Sequence, residues 1–412
     1  MSEATTTQRS RGMRDLVPDE MERVRQVESA FAAVCRAWGY REIRTPVIEP
    51  LHLFTTAGTL SPQALDRVYS FLDWDGWSGE RVVLRPDSTI PTARLYGERL
   101  DGGRVAKLFY RQNVFRFAAD ESSREEWQCG VELIGQTGLA GDVELALMGL
   151  GTLRSLDLSD ITLTLSHAGL IRVVLGAAEL TPDEQSAAYD RLLDGDQTVI
   201  EEMETRLPLI SGPLRLLLEV EGQGSGYLAE VRKALGGAIA ALVPPLDDLG
   251  FVVQTLEACG VSPRVRAVLA RSFEYYSGVV MRFDVGGRQV GGGGRYDELI
   301  GVVGGREAPA SGFALYVEPL SELLPRRAEA PGARLLLAPS SGAPEDVAAV
   351  FDAASRLRAL GVDVETVDAD GGASRRLVCR AVAPRFELAD GDTRRTFEDA
   401  AAVARALGQE RP

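Results

Sequence analysis

Two apolar stretches, VAKLFYR at 105–111 and WQCGVELIG at 127–135, follow one another along the chain, and an antiparallel hairpin is the cheapest way to join them. Further strand patterns stand at 67–72 (RVYSFL), 81–85 (RVVLR), 161–167 (ITLTLSH) and 274–285 (EYYSGVVMRFDV). A strand-rich first part broken by helices implies an α+β domain built on an antiparallel sheet, not a doubly wound one.

The helical stretches have their own signals. Val24, Val27, Phe31, Val34 and Trp38 recur at spacings of three and four from Asp19, and Gly39 is a stop. REIRTPVIEP after it predicts one short strand bounded by prolines. Asp142 is expected to N-cap a helix running to about Leu153. Between 168 and about 265 aliphatic periodicity dominates, and Thr181-Pro182-Asp183-Glu184 reads as a capping box, so a helical insertion is expected. Residues 325–333 (PRRAEAPGA) make the best linker. Beyond it RLLLAP, a helix over about 344–360 and VDVETVD form a βαβ unit. The expected division is a core over 1–325 and a small C-terminal α/β domain over 333–412.

At 412 residues the chain has room for two or three domains with real cores. Four scattered cysteines (Cys35, Cys129, Cys259, Cys379) and two histidines (His52, His167) argue against a zinc site or a disulfide framework. No metal and no cofactor is expected. No apolar run reaches the roughly 18 residues of a membrane span, and the polar start does not read as a signal peptide, so a cytoplasmic, reduced protein is expected. The net charge of -15 argues weakly against nucleic acid, because a sum can hide a local basic patch.

No P-loop, HExxH, GxSxG or dinucleotide fingerprint is present. Four polar clusters remain. Arg85-Pro86-Asp87-Ser88-Thr89 can hold an ammonium group or can turn into a helix capped by Asp87 or Ser88. Gln128, Gly130 and Glu132, spaced by two, share one strand face, which is either a pocket or a solvated surface. Arg271, Tyr275 and Tyr276 enter a strand, where tyrosines usually pack. Gly291–Gly294 before Arg295-Tyr296-Asp297 suits either close ligand approach or a tight turn.

Taken in order, these segments resemble the catalytic core of class II histidyl-tRNA synthetases, from Arg11-Gly12-Met13-Arg14-Asp15 to about residue 320. WGYREIRTPVIEP resembles motif 1, followed by LRPDST, the motif 2 region, R-x-x-x-Y-Y at 271–276 and GGRYD at 293–297. The resemblance implies a histidine pocket. Asp87, normally glutamate in that family, and Thr89 would take the α-ammonium group; Gln128 would lie near the ligand's main chain. Glu132 and Tyr275 would hydrogen-bond the imidazole, Tyr276 and Tyr296 would form walls, and Arg111 and Arg271 would lend anion affinity. A carboxylate and a phenol satisfy the one donor and one acceptor of a neutral imidazole.

The departures narrow the reading. Where motif 2 is Arg-x-Glu, Arg111-Gln112-Asn113 stands, and its loop carries Asp120, Glu121, Glu125 and Glu126. Where motif 3 ends Gly-x-Glu-Arg, Tyr316-Val317-Glu318-Pro319 stands, and proline offers neither charge nor N–H to ATP. QNVFR at 112–116, VELIG at 131–135 and SHAG at 166–169 are similar to the regulatory-subunit family of ATP phosphoribosyltransferase. In this reading His167 is a subfamily marker and not a catalytic group. That family implies a non-catalytic subunit that senses histidine, pairs with a short-form catalytic subunit and serves the first step of histidine biosynthesis. A homodimer within a larger hetero-oligomer is expected, with no tRNA and no membrane partner. The rivals are a histidine–tRNA ligase and a stand-alone amino-acid ligase. The C-terminal segment, with 11 basic against 13 acidic residues from Arg334, has only the βαβ start of an anticodon-binding domain.

Overall fold

The computed structural model describes residues 10–56, 68–74, 79–100, 104–117, 123–193, 196, 198–208, 215, 222–237, 239–266, 269, 276–325, 335–367, 375–383, 385–390 and 393–408. The chain divides into two compact units, Met1–Arg326 and Arg327–Pro412.

The strands of the first unit are β1 (Arg41–Glu42), β2 (Ile48–Pro50), β3 (Ser70–Trp74), β4 (Gly79–Leu84), β5 (Ala106–Phe115), β6 (Glu125–Ile134), β7 (Ile161–His167), β8 (Gly222–Gln223), β9 (Arg264–Val265), β10 (Val279–Val285), β11 (Arg288–Arg295) and β12 (Ala310–Tyr316). Nine of them form a sheet in the order β1-β5-β6-β12-β11-β10-β7-β9-β8, and β2-β4-β3 form a small second sheet. The large sheet is antiparallel except at β1/β5 and β7/β9.

The expected hairpin is there and is longer than its apolar letters suggest. β5 and β6 pair from Ala106↔Ile134 to Phe115↔Glu125. The polar residues that extend it are partnered: Asn113 donates to Glu125 (2.7 Å) and accepts from buried Arg85 (2.9 Å). Burying those groups is tolerable only because each finds a partner.

One face of the sheet carries the core. Phe109, Val131, Phe283, Phe313 and Leu315 point toward the helices Pro18–Ala37 and Ala140–Ser155. Phe31 meets Phe109 and Phe313 edge-on at centroid distances of 6.1 and 6.3 Å. Each such ring contributes about 1.5–3 kcal/mol by leaving water. Gly149 lies inside the second helix because a Cβ there would stand 2.3 Å from the Phe283 ring.

Two expectations are corrected and one of two open alternatives is excluded. REIRTPVIEP is not one strand: β1 and β2 lie in different sheets, and Arg85 holds the carbonyls of Thr45 and Pro46 (2.9 Å each) in the break between them. Asp142 is not an N-cap; the helix begins at Ala140, and the buried Asp142 carboxylate instead accepts from Arg295 (2.7 Å) and Ser311 (2.8 Å). Gly291–Gly294 is not a turn but the middle of β11, paired on both sides.

Between β7 and β10 run the helices Ala168–Ala177, Pro182–Leu193, Thr198–Arg206, Gly224–Leu235 and Val243–Ala258. The capping box forms, with Thr181 N–H donating to Glu184 (2.8 Å) and Glu184 N–H to Thr181 (3.4 Å). The same stretch also supplies β8 and β9, which extend the sheet. Strand β10 starts at Val279; residues 270–275 lie outside the described ones.

The second unit pairs β13 (Leu335–Pro339) in parallel with β14 (Val364–Thr366) across the helix Pro344–Ala359. β15 (Arg375–Cys379), β16 (Phe386–Asp390) and β17 (Thr393–Phe397) complete a five-stranded sheet. Leu337, Leu357, Leu377, Leu388 and Val403 give it a core of its own. The 325–333 stretch is described only at Pro325.

Candidate functional site

On β6 the side chains alternate. Cys129, Val131 and Leu133 enter the core, while Gln128, Gly130 and Glu132 face the other side of the sheet. Glu132 is 1 % exposed and its carboxylate is surrounded by hydroxyls. Oε1 accepts from Thr89 (2.8 Å) and Tyr110 (3.0 Å), and Oε2 accepts from Tyr296. Burial pushes the Glu132 carboxyl up to about 8, opposed by the Tyr296, Thr89 and Tyr110 hydrogen bonds and reinforced by Asp87. Three hydroxyls thus hold this carboxyl in one orientation on the sheet.

Glycines make room for this group. A Cβ on Gly312 would stand 2.0 Å from Glu132 Oε2, and one on Gly130 would stand 2.2 Å from the Tyr110 ring. A Cβ on Gly294 would lie 3.0 Å from the Tyr276 ring. Gly130, Gly312 and Gly294, from three neighbouring strands, thus let a carboxyl group and two phenols approach the sheet closely.

Asp87 is buried, and its Oδ1 accepts from Ile90 N–H at 2.8 Å, at the start of the helix Thr89–Leu95. Its carboxyl is raised by burial, against the pull of the Ile90 N–H and of Arg116. The capping reading therefore holds for Asp87 in this structure. Beside it Ser88 Oγ is buried without a hydrogen-bond partner, and the buried Gln128 lies on the same sheet face as Glu132. Uncompensated buried polar groups cost about 1–3 kcal/mol each, a cost that a polar ligand would remove.

Of the residues expected to bind, Thr89, Glu132 and Tyr296 are in direct hydrogen-bond contact, and Tyr276 leans on the same glycine floor. Arg271 and Tyr275 lie outside the described residues. Arg111 is not brought to the pocket. It stands opposite Cys129 on the core-side face and forms an ion pair with Glu42 (2.7 Å), because its odd position in β5 turns it away from Tyr110 and Gln112.

Arg116 is the guanidinium that sequence reasoning missed. It donates to Pro86 O (3.1 Å) and Glu126 (3.3 Å) and acts electrostatically on Asp87. The signal was the period of two running on from Tyr110 through Gln112. Arg295 was missed as well: buried, it holds Asp142 (2.7 Å) and Asp297 (3.1 Å) beneath the site. His167 caps the helix Ala168–Ala177, its Nδ1 accepting from Gly169 N–H at 3.0 Å. Among the described residues no cluster of His, Cys, Asp or Glu could hold a metal ion.

The stretch of the motif 3 departure has a defined role. Glu318 accepts the Trp127 N–H (2.9 Å) and so ties the helix Val317–Leu323 to β6. Pro319 sits within that helix, and no guanidinium stands at its position.

A family model described as Histidyl-tRNA synthetase matches residues 12–320. The chain belongs to the histidyl-tRNA synthetase family, on the branch of the ATP phosphoribosyltransferase regulatory subunits. A relative from Dehalococcoides mccartyi named ATP phosphoribosyltransferase regulatory subunit is 48% identical over 318 residues, 77% of this chain and 76% of that one. A histidine–tRNA ligase from Methanosarcina acetivorans is 32% identical, over 78% of this chain and 76% of the ligase. A crystal structure of an ATP phosphoribosyltransferase regulatory subunit/histidyl-tRNA synthetase from Bacillus halodurans superposes with a TM-score of 0.75 at 25% identity, covering 90% of this chain and 95% of that one. The family's class II synthetase fold is thus the fold of this chain. The family match stops at residue 320, short of the second unit.

Proposed function

We propose that this chain is the non-catalytic regulatory subunit of ATP phosphoribosyltransferase, needed for the first step of histidine biosynthesis and for its feedback control by histidine. The observation that carries this reading is the combination of a preserved amino-acid pocket at Glu132 with a motif 3 that ends in Pro319. The 48%-identical relative bearing the regulatory-subunit name supports it.

Histidine would enter with its imidazole against Glu132, whose carboxyl is oriented by Thr89, Tyr110 and Tyr296. Tyr275 would serve the second ring nitrogen, and Tyr276 would close the wall. Gln128 and Ser88, the latter's hydroxyl buried without a partner, would take main-chain groups of the ligand beside Asp87, with Arg271 at the rim. Feedback then requires that the complex with the short-form catalytic subunit have two states with different histidine affinity. A homodimer within that complex completes the reading.

Aminoacylation is absent in this account, because the charge that would stabilise a transferring phosphate is not replaced locally; such a loss costs several kcal/mol in the transition state. The test is paired. Calorimetry should show the purified chain binding histidine, and no histidine-dependent ATP–pyrophosphate exchange should be detected. The 32% identity to a histidine–tRNA ligase favours the second reading, and robust exchange would establish it.

A further inference from the structure

We propose that the Tyr316 side chain is a plug on the glycine floor, so that the cleft beside Glu132 admits a ligand of amino-acid size and excludes an adenine nucleotide laid across β11. The proposal takes the amino-acid end of the cleft from the reading above, whereas its nucleotide end stands on separate observations.

The floor is set by register. Glu132 stands opposite Gly312, which stands opposite Gly294; Gly130 stands opposite Ala314, which stands opposite Gly292. Three neighbouring strands about 4.8 Å apart thus present almost no side chain on one face, an area the size of a planar ring system. Most of this floor is already covered. Gly130, Gly312 and Gly294 are needed by Tyr110, Glu132 and Tyr276 respectively, where a Cβ would come within 2.2, 2.0 and 3.0 Å.

Gly292 is different. The three atoms nearest a Cβ there would be Met281 O at 3.3 Å, Gln289 Nε2 at 3.6 Å and the Tyr316 hydroxyl at 3.9 Å, less crowded than at the other three glycines. The Tyr316 hydroxyl thus lies over the least crowded part of this floor. Tyr316 stands opposite Gln128 on β6, two residues along β12 from the position facing Gly292. For its hydroxyl to lie near Gly292 the ring must lean diagonally toward the Glu132 end, across the floor. Tyr316, Asp87 and Glu132 each act on the Tyr276 phenol, which lies in the same electrostatic neighbourhood.

The charges around the floor agree. Arg282, opposite Gly292, is held by Asp284 at 2.6 Å, and Pro319 lies three residues beyond the plug. A tyrosine at 316 covers the surface for a base, and the Arg282 guanidinium beside it is already engaged by Asp284.

The test is calorimetry on the full chain with ATP and, separately, with histidine, comparing the wild type with Tyr316→Gly, Tyr316→Ala and Tyr316→Phe. Removing the ring should raise ATP affinity at least about tenfold in Tyr316→Gly and Tyr316→Ala. Tyr316→Phe should match the wild type, and histidine affinity should stay within about threefold throughout, since no hydrogen bond to Glu132 is touched. Tyr316→Ala keeps a strand-compatible backbone, so a folding defect of the glycine variant would not hide the effect. ATP binding by the wild type that both truncations leave unchanged, or no gain in either, overturns the plug. Gain of ATP binding with no histidine binding in any variant upholds the plug and refutes the amino-acid reading instead.

Discussion

Glu132 couples the pocket's chemistry to pH. Its carboxyl is raised by burial from the usual carboxylate range to about 8, so its neutral form is the stable one in the empty fold. The contribution it makes to stability is fully present below about 4.5, its unfolded value, and is lost as pH rises through about 8. Melting curves of wild type and Glu132→Gln between pH 5 and 9 should therefore differ in slope, the variant lacking this loss. Leaving a buried partner unsatisfied costs about 1–3 kcal/mol, so Glu132→Gln should weaken histidine binding by roughly 5- to 150-fold in calorimetry. His167 works in the opposite sense. Burial depresses it to about 4, so its neutral form is favoured, and its contribution is present above about 6.5 and lost as pH falls through about 4. His167→Asn keeps an acceptor for the Gly169 N–H and should flatten the acid limb of the stability profile. Much of the pocket was legible in the letters: a carboxylate at period two with Gln128, a threonine after Asp87, a tyrosine after the glycines. Arg111 and Arg116 were not told apart, because choosing between them needs the face of β5, which only pairing with β6 fixes.

The elements that position the pocket are tied by buried polar groups rather than by apolar pattern. Asp142 near the start of its helix receives Arg295 from the end of β11 and Ser311 from β12, fixing helix and strands together beneath Tyr296. Asp142→Asn would take from Arg295 its buried counter-ion, leaving it Asp297 at 3.1 Å, and should cost about 1–3 kcal/mol, read as a lowered denaturant midpoint. Gly312→Ala places a methyl 2.0 Å from Glu132 Oε2 and 2.5 Å from Val131 O. Overpacking of that kind costs about 1–3 kcal/mol and should remove histidine binding while leaving the helical signal in circular dichroism unchanged. Hairpin, insertion helices and ITLTLSH could be read because hydrophobic period and caps repeat over many residues. The glycine run could not: a turn and a close approach were both open, and the crowding of Leu315, Phe313 and Tyr276 against Gly291, Gly293 and Gly294 explains a glycine strand. β8 and β9, two residues each, are too short for any period to show.

Each of the two units has hydrophobic packing of its own among the described residues: clusters under the large sheet and around Phe54, Ile90 and Leu299 in the first, and one around Leu337, Leu357 and Leu377 in the second. A chain ended after Arg326 should therefore fold and bind histidine with the affinity of the full protein, tested by calorimetry on both. The net charge of -15 gave only a weak argument about partners, and position proved more informative. Glu125 and Glu126 are taken up by Asn113 and Arg116, while Pro319 removes a cation from the nucleotide side. What the whole molecule is for rests on a partner, and one assay addresses it. The chain is mixed with a short-form ATP phosphoribosyltransferase catalytic subunit, and condensation of ATP with phosphoribosyl pyrophosphate is followed with and without histidine. The account predicts that adding the chain raises the rate, that histidine lowers it, and that Glu132→Gln still activates but no longer responds to histidine. No activation, or a histidine response untouched by Glu132→Gln, would contradict it.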